Sequence, residues 1–402
     1  MSATDRIARL VTDVPPEPLL PAAQTLWTVR ARQAVEYEVV LTTGLLDPAN
    51  DALAVSGSQE AVTRRLVVID QRVHELYGDR FRDYFRARSV DTHWLVLDAC
   101  EQNKTLDAVL GVVDALVAHR VLRRSEPVIA VGGGVLTDIV GMACGMYRRG
   151  IPYVKVPTTL IGLVDAGIGA KTGVNHGSHK NRLGSYFPAR STLLDRAFLA
   201  TLDDRHLSNG LAEILKIALV RDPPLFDLLE WHGALLRGER MQGLTFDGEH
   251  AAAEVVARAV GGMLAELEPN LWEHDLERLV DYGHTFSPAL EMRALPVLLH
   301  GEAVAIDMAL TTVIACRRGM LGPADRDRVL AVVTALGLPL THLVCLSDVL
   351  CDALADAVLH RDGRQRLPLP TGIGSACFVD DLTHEEIRGA VHELRERGRT
   401  HD

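Results

Sequence analysis

Cysteine is scarce: six residues in 402, at positions 100, 144, 316, 345, 351 and 377, with no CxxC pair and no clustering. That spacing argues against a cysteine-built zinc site and a disulfide framework, and it fits a reducing compartment. Positive charge is also short. Lys and Arg total 42 against 53 Asp and Glu, a formal charge of −11. Nonspecific nucleic-acid binding is disfavoured, although a local basic pocket stays open. No apolar run is long enough to span a bilayer, and the opening MSATDRIARLVTDVPPEPLL lacks the basic-then-apolar layout of a signal peptide. The chain therefore reads as soluble and cytoplasmic, with neither membrane nor nucleic acid as partner. Internal repeats and low-complexity tracts are missing too.

One further absence is local. In DYGHTFSPALEM (281–292) the place four residues after His284 holds Pro288, where a helical zinc site would carry a second histidine. Proline can neither ligate a metal nor donate a backbone hydrogen bond. Any partners of His284 must come from elsewhere in the chain.

What is present suffices for two domains around a large core, with 48% hydrophobic residues over this length. EYEVVLT (37–43), RRLVVID (64–70), HWLVLDA (93–99), PVIAVGG (127–133) and YVKVPTT (153–159) read as strands. Amphipathic stretches such as TLDAVLGVVDALVAHRV lie between them, the pattern of a mostly parallel sheet covered by helices. Beyond about residue 190, HLSNGLAEILKIALV, GEHAAAEVVARAVGGMLAELE and HGEAVAIDMALTTVIACRRG carry helical periodicity instead. The expectation is an α/β domain over 1–189 and an all-α domain over 190–402. Residues 1–30 and 395–402 read as loosely held.

VGGGVLTDIVG (131–141) follows a strand and opens a helix, so Gly132, Gly133 and Gly134 would let backbone amides approach a phosphate. Thr137 replaces the third glycine of GxGxxG, and a structural turn would explain the glycines equally well. Asp70 ends a strand, a place for gripping ribose hydroxyls or for capping a helix. VPTTLIGLVDAGIGAKTGVNHGSHKNRLGSYFPA (156–189) supplies Lys171, Lys180, Asn181 and Arg182, groups of the kind that hold a phosphate ester. Glu213 and Lys216 share one face of an apolar helix, where a plain ion pair is the simplest account. His300 opens another apolar helix and could be a cap or a satisfied core group. Taken together, Glu213, His284 and His300 lie amid apolar residues where an unpaired polar group is costly. Two imidazoles and a carboxylate, with one position open, form the ligand set of a catalytic zinc ion.

The motifs GGGVLTDIVG, YRRG, VPTTL, VDAGIGAKTGVN, KNRLGSY, NGLAEILK, GHTF and HGEAVA together resemble the sugar phosphate cyclases, the dehydroquinate synthase-like family, from about residue 65 to 375. The resemblance implies a Rossmann-like NAD domain followed by a helical domain, a homodimer, and zinc or cobalt held by Glu213, His284 and His300. It implies NAD contacts from Asp70, Glu101, Lys104, Gly133, Gly134, Asp138, Thr158, Thr159, Asp165 and Lys180. Lys171, Asn181 and Lys216 would face the substrate, Arg182 would lie near phosphate and cofactor, and Arg149 would reach the phosphate bound by the other protomer.

Within that family the dehydroquinate-forming members carry NxGHTFGH, where this chain has Asp281 and Pro288. An arginine four residues before that asparagine becomes Glu277, and an upstream lysine falls at Met263 by ungapped counting or at Leu267 across a short insertion. Groups suited to a substrate carboxylate thus become apolar or acidic. PNLWEHDLERLVDYGHTFSPALEM and LHRDGRQRLPLPTGIG, His360 included, resemble instead the 2-epi-5-epi-valiolone synthase branch. That branch cyclises sedoheptulose 7-phosphate, which has no carboxylate. The resemblance then implies catalytic roles for Lys171, Lys216, Asn181, Asp281 and His360, and a substrate wall that includes Leu267 and Pro288. It implies transient oxidation by NAD at C5, loss of phosphate, return of the hydride, ring opening and aldol closure. Rival readings are dehydroquinate synthase, another cyclitol synthase, a metal-dependent polyol dehydrogenase and a catalytically silent NAD-binding homologue. A silent homologue has no physical need for a buried charge cluster.

Overall fold

A computed structural model describes residues 26–31, 33–58, 63–177 and 179–399. Residues 37–402 form one compact unit, and residues 1–36 a separate one whose described part has neither helix nor strand. Of the ends expected to be loose, 1–25 and 400–402 lie outside the described residues, whereas 395–399 continue a helix.

Six parallel strands build the main sheet: β1 (Glu38–Thr42), β2 (Arg64–Asp70), β3 (Asp91–Leu97), β4 (Val128–Gly132), β5 (Tyr153–Pro157) and β8 (Ser191–Asp195). Their order is β1-β8-β5-β4-β2-β3. Between β5 and β8 the chain makes an antiparallel hairpin, β6 (Lys171–His176) and β7 (His179–Tyr186). The helices of this half are α1 (Ala52–Val55), α2 (Gln71–Ala87), α3 (Leu106–Ala118) and α4 (Gly134–Met146). Central strands read as unbroken apolar runs because both faces are covered. Alternate residues separate cleanly: Val67, Ile69, Ile129 and Val131 pack with Phe81, Tyr84 and Phe85 of α2. Leu66, Val68, Val128 and Ala130 pack with Val109 and Val112 of α3 and Ile139 and Val140 of α4.

The other half is helical: α5 (Asp204–Arg221), α6 (Pro223–Gly238), α7 (Phe246–Leu267), α8 (Ser287–Ala294), α9 (His300–Arg317), α10 (Pro323–Ala335), α11 (Ser347–His360) and α12 (His384–Arg399). One hairpin interrupts it, β9 (Leu367–Gly372) with β10 (Ser375–Val379). α5 and α9 are buried on every side, from Leu207 to Val220 and from Gly301 to Ala315, so the few polar groups they carry, Glu213, Lys216 and Asp307 among them, are enclosed. Leu160, Leu163 and Leu194 share one core with α5, α6, α7 and α10, so sheet and helices are packed continuously.

All five strands expected from sequence form. β8 lies beyond residue 189, yet its backbone pairs with β1 and β5, so the sheet extends past that point. Strand order reverses between β2 and β4, with β3 added on one side and β5 on the other. A ligand crevice belongs outside the carboxyl ends of strands at such a reversal. Asp70 ends β2 there, and a Cβ placed on Gly132 would stand 3.2 Å from the Asp70 Cβ.

Candidate active site

A cleft of about 630 Å³ opens at that reversal, between the sheet ends and α5, α7, α8 and α9. Glu213, from the middle of α5, is buried behind the cleft's lining residues Lys216, His284 and His300, with 1% of its surface exposed. His284 follows the 3-10 turn Leu279–Asp281, and His300 is the first residue of α9. Glu213 Oε1 lies 3.3 Å from His300 Nε2 and 3.9 Å from His284 Nε2. One ligand atom from each of the three residues falls within 4.8 Å of the others.

The outer nitrogens of both rings are already engaged. His284 Nδ1 faces the Tyr282 carbonyl at 3.1 Å, and His300 Nδ1 faces Glu291 Oε2 at 2.9 Å. A carbonyl and a carboxylate only accept, so each Nδ1 carries the proton and donates it; Lys180 Nζ, also 3.2 Å from His300 Nδ1, is held more closely by the two oxygens of Glu291. Each ring thereby turns Nε2 toward Glu213, where its lone pair can serve a metal once no second proton sits there, the arrangement that orients histidines on a metal. Neither buried oxygen of Glu213 has a hydrogen-bond partner among the described residues, although Oε2 forms an ion pair with Lys216 Nζ at 2.6 Å. The expected intrahelical ion pair therefore exists and uses only one of the two oxygens. Two imidazoles, a carboxylate and an unsatisfied oxygen fit a divalent ion with a further position open to substrate.

Electrostatics agree. Burial would raise Glu213, but Lys216 and His284 outweigh it and hold the carboxyl well below its usual range. Burial and Lys216 push His284 down to about 4, leaving it neutral as a ligand must be. His300 goes up to about 9, because Glu291 and Glu213 outweigh burial and Lys180. In the metal-free protein a proton on His300 offsets the carboxylates, and a metal ion would displace it.

Around this cluster the cleft is lined by paired charges. Lys180 Nζ, from β7, binds both oxygens of Glu291 at 2.7 and 2.6 Å. Lys104 Nζ joins Asp138 Oδ2 and Asn181 Oδ1, each at 2.6 Å. Asn175 links Glu101 Oε1 to the backbone amide of Asn181, each at 2.8 Å. Asp281 meets Arg278 at 3.0 Å, and Arg278 meets Glu273 at 2.5 Å. Glu273 also pairs with Lys171 and accepts from the Tyr186 hydroxyl. Burial raises Asp281, but Arg278 and Lys171 prevail and keep it ionised.

Of the residues expected from sequence, Glu101, Lys104, Gly133, Gly134, Asp138, Thr159, Asp165 and Lys180 line the cleft. So do Lys171, Asn181, Lys216, Asp281, Pro288, His284 and His300, and both candidates for the upstream position, Met263 and Leu267. Asp70 caps α2 through Oδ1, and Thr158 is buried beside the wall with its hydroxyl unpartnered. Arg149, Arg182 and His360 are exposed and do not line the cleft. His360 is the last residue of α11, and its neighbour Arg361 points inward, 3.2 Å from the Thr285 hydroxyl. Glu277 is likewise exposed, and Arg278 occupies the cleft in its place. The acidic character expected from Glu277 is therefore corrected: this wall holds a cation already paired with Glu273 and Asp281. Pro288 lies in the first turn of α8, where a missing N–H costs nothing. Because α8 begins only at Ser287, positions 284 and 288 never shared a helix face.

Glu291, Glu273, Arg278 and Arg361 escaped sequence reasoning. Asp307 did too. It is fully buried in α9 and its Oδ2 accepts from the Phe286 and Ser287 amides at 2.6 and 3.0 Å. Burial pushes it up to about 6, against those amides and Arg361. An unfolded aspartate titrates near ~4, so the native state holds this proton more tightly. Its contribution to stability is then full below pH ~4 and is lost as the pH rises through about 6. Asp307→Asn should flatten the stability profile between pH ~4 and ~7, and should resist urea better at pH ~8, by on the order of 2 kcal/mol. Parallel pH profiles for the two proteins would rule this out.

Sheet, glycine turn and Glu–His–His cluster together define a metal-dependent enzyme on a dinucleotide-binding scaffold. Residues 94–209 match the 3-dehydroquinate synthase N-terminal family model and residues 210–362 the C-terminal one. The chain is 56% identical over 374 residues to a 2-epi-5-epi-valiolone synthase from Actinomyces sp, covering 92% of this chain and 98% of that protein. It is 35% identical over 360 residues to a 3-dehydroquinate synthase from Synechococcus sp. (strain CC9605), covering 89% of this chain and 95% of that protein. The solved structure of ValA, the 2-epi-5-epi-valiolone synthase from Streptomyces hygroscopicus subsp. jinggangensis 5008 with NAD+ and Zn2+ bound, superposes with a TM-score of 0.88. That match has 57% identity and covers 92% of this chain and 100% of the other. The chain belongs to the 3-dehydroquinate synthase family, whose members include these sugar phosphate cyclases.

Proposed function

We propose that this protein converts sedoheptulose 7-phosphate to 2-epi-5-epi-valiolone with release of phosphate. The observation that carries the reading is the cleft itself, where Asp281 and Pro288 stand beside a complete Glu213–His284–His300 set. The Actinomyces and Streptomyces synthases, far closer in sequence than the dehydroquinate synthase, support the same choice.

On this reading Glu213, His284 and His300 hold zinc or cobalt. Gly133 caps α4 and Gly134 opens it, with Thr159 packed beside Gly133, so backbone amides there suit the diphosphate of NAD. Asp70 suits a ribose, and Glu101, Lys104, Asp138, Thr158, Asp165 and Lys180 complete the cofactor's surroundings. When bound, NAD supplies reversible hydride uptake at the C5 hydroxyl and the metal polarises that oxygen. The chain's own groups position and compensate charge. Lys216, shared between Glu213 and Asp165 at 2.6 and 3.6 Å, offers a proton donor beside the reacting hydroxyl. Lys171 and Asn181 suit the phosphate, and Asp281 and Arg278 the sugar hydroxyls. Leu267 and Pro288 provide an apolar wall. Arg182 and His360 stand outside the cleft and would act at its rim.

We also read the chain as a cytoplasmic homodimer. Among the described residues no helix is long and apolar enough to cross a membrane. Arg148, Arg149 and Gly150 have φ of 51°, 62° and 108°, a left-handed bend that side chains rarely adopt and that leaves Arg149 exposed. Such a bend suits an arginine offered to the other protomer's phosphate.

Incubation with sedoheptulose 7-phosphate, NAD and zinc, followed by NMR of the product, tests the reading. Hydride removed is hydride returned, so NAD should be needed only in catalytic amounts and absorbance at 340 nm should stay flat while phosphate is released. NADH accumulating in step with substrate loss would mark a polyol dehydrogenase instead.

A further inference from the structure

The two histidines of the cluster share a scaffold. His300 begins α9, and the segment that carries His284 runs along the stripe of α9 that follows it. The Tyr282 hydroxyl reaches Thr312 Oγ1 at 3.1 Å and the Met308 carbonyl at 3.3 Å. Gly283, at φ 73°, presses on the same stripe, where an added Cβ would stand 2.9 Å from Val304 and 3.0 Å from Met308. Beyond His284, the amides of Phe286 and Ser287 both donate to Asp307 Oδ2. Thr285, between them and His284, is held by Arg361, which also binds the Gln365 carbonyl at 3.0 Å.

Asp307 is an unusual group to find there. It is 0% exposed, its Oδ1 has no hydrogen-bond partner among the described residues, and the other residues of α9 from Ala303 to Leu310 are apolar. A buried carboxylate is costly unless its environment compensates the charge. Here compensation comes from two amides at the N-terminus of α8, where the helix dipole favours a negative group, and from the nearby Arg361. Those amides lie two and three residues after His284. The segment is thus anchored on α9 before His284 by Tyr282 and Gly283, and after it by Asp307.

We infer that Asp307 is a positioning residue for the metal centre: it fixes the His284 segment against α9, so that the distance between the His284 and His300 imidazoles is set by one helix. The inference rests on the proposed metal reading. It adds a specific residue, outside the ligand set and touching none of the ligands, that determines how tightly the ion is held.

Zinc affinity, measured on the full chain by competition with a chromogenic chelator, tests it alongside the melting temperature of each metal-free protein. Asp307→Ala should bind zinc about tenfold or more weakly, the scale of lost outer-sphere support at a metal site. Asp307→Asn keeps an oxygen able to accept both amides and should bind within about threefold of wild type. Leu116→Ala, which opens a cavity in the α3 core, a cluster that includes neither the segment nor α9, should lower the melting temperature with zinc affinity unchanged. If Asp307→Ala does not fold, Asp307→Ser, with a shorter acceptor, takes its place under the same criterion. Wild-type zinc affinity in the alanine or serine variant would overturn the inference while leaving the metal reading intact. Failure of the wild-type protein itself to bind zinc would overturn the metal reading and this inference with it.

Discussion

Glu213→Gln should yield a folded protein that holds little zinc and turns over at least ~10³-fold more slowly, a loss of about 4 kcal/mol in transition-state stabilisation. The substitution keeps shape and volume, so it removes the charge without opening a cavity. The amide still offers one oxygen toward the histidines, but a neutral amide oxygen binds zinc more weakly than a charged carboxylate. Lys216 would then keep only Asp165, 3.6 Å away, as its anionic partner. Removing one partner of a buried pair leaves the other charge uncompensated, so the melting temperature should fall as well. Metal analysis after dialysis and a phosphate-release assay read the two effects separately. His284→Ala and His300→Ala should match the metal loss. Stoichiometric zinc and normal turnover in any of the three would remove that residue from the ligand set.

The metal set was legible because each member interrupts an apolar helix or turn, where an unpaired polar group has to be explained. What surrounds it was less so. Glu291 stands on the short helix α8, and no local pattern records its partners: it reaches Lys180 from β7 and His300 from α9, 111 and 9 residues away. Glu273 and Arg278 sit in an irregular stretch whose side-chain directions follow no period. Counting along the chain therefore assigned the cleft to Glu277 when the backbone turns Arg278 inward. The same limit explains His360 and Arg361, adjacent at the end of α11 and facing opposite ways. Strands buried on both faces announced themselves as apolar runs, whereas STLLD of β8 is short and begins just after the proline and arginine of FPAR. Its pairing with β1, some 150 residues earlier, is a tertiary fact. The hairpin β6–β7 was hidden for another reason: glycine, asparagine and histidine dilute the alternation of Thr172, Val174 and Leu183.

The sharpest difference between the valiolone and dehydroquinate readings is the charge of the substrate. Lys171, Arg278, Glu273 and Asp281 form a connected group with two positive and two negative members, so the wall they build is close to neutral. A carboxylate placed against it gains no net attraction, because Arg278 and Lys171 are already neutralised by Glu273 and Asp281 and the acid would stand beside two like charges. Sugar hydroxyls, by contrast, can donate to Asp281 and accept from Arg278 with the pairs intact. Pro288 cannot replace the imidazole that dehydroquinate-forming relatives present at that place. Wild-type protein should therefore process sedoheptulose 7-phosphate at least ~10³-fold more efficiently than 3-deoxy-D-arabino-heptulosonate 7-phosphate, a discrimination of about 4 kcal/mol from unpaired buried groups. Asp281→Asn should reduce kcat/KM for sedoheptulose 7-phosphate by roughly 10- to 100-fold, the cost of ~1–3 kcal/mol for a mismatched buried hydrogen bond. Relieving Arg278 of one anionic partner should also improve relative acceptance of the acid, without approaching the wild-type rate on sedoheptulose 7-phosphate, because the wall at Pro288 is unchanged. Phosphate release measured on both substrates, for both proteins, decides the matter. Efficient release from the acid by the wild-type protein, with none from sedoheptulose 7-phosphate, would return the chain to the dehydroquinate reaction and refute the role given to residues 278–288.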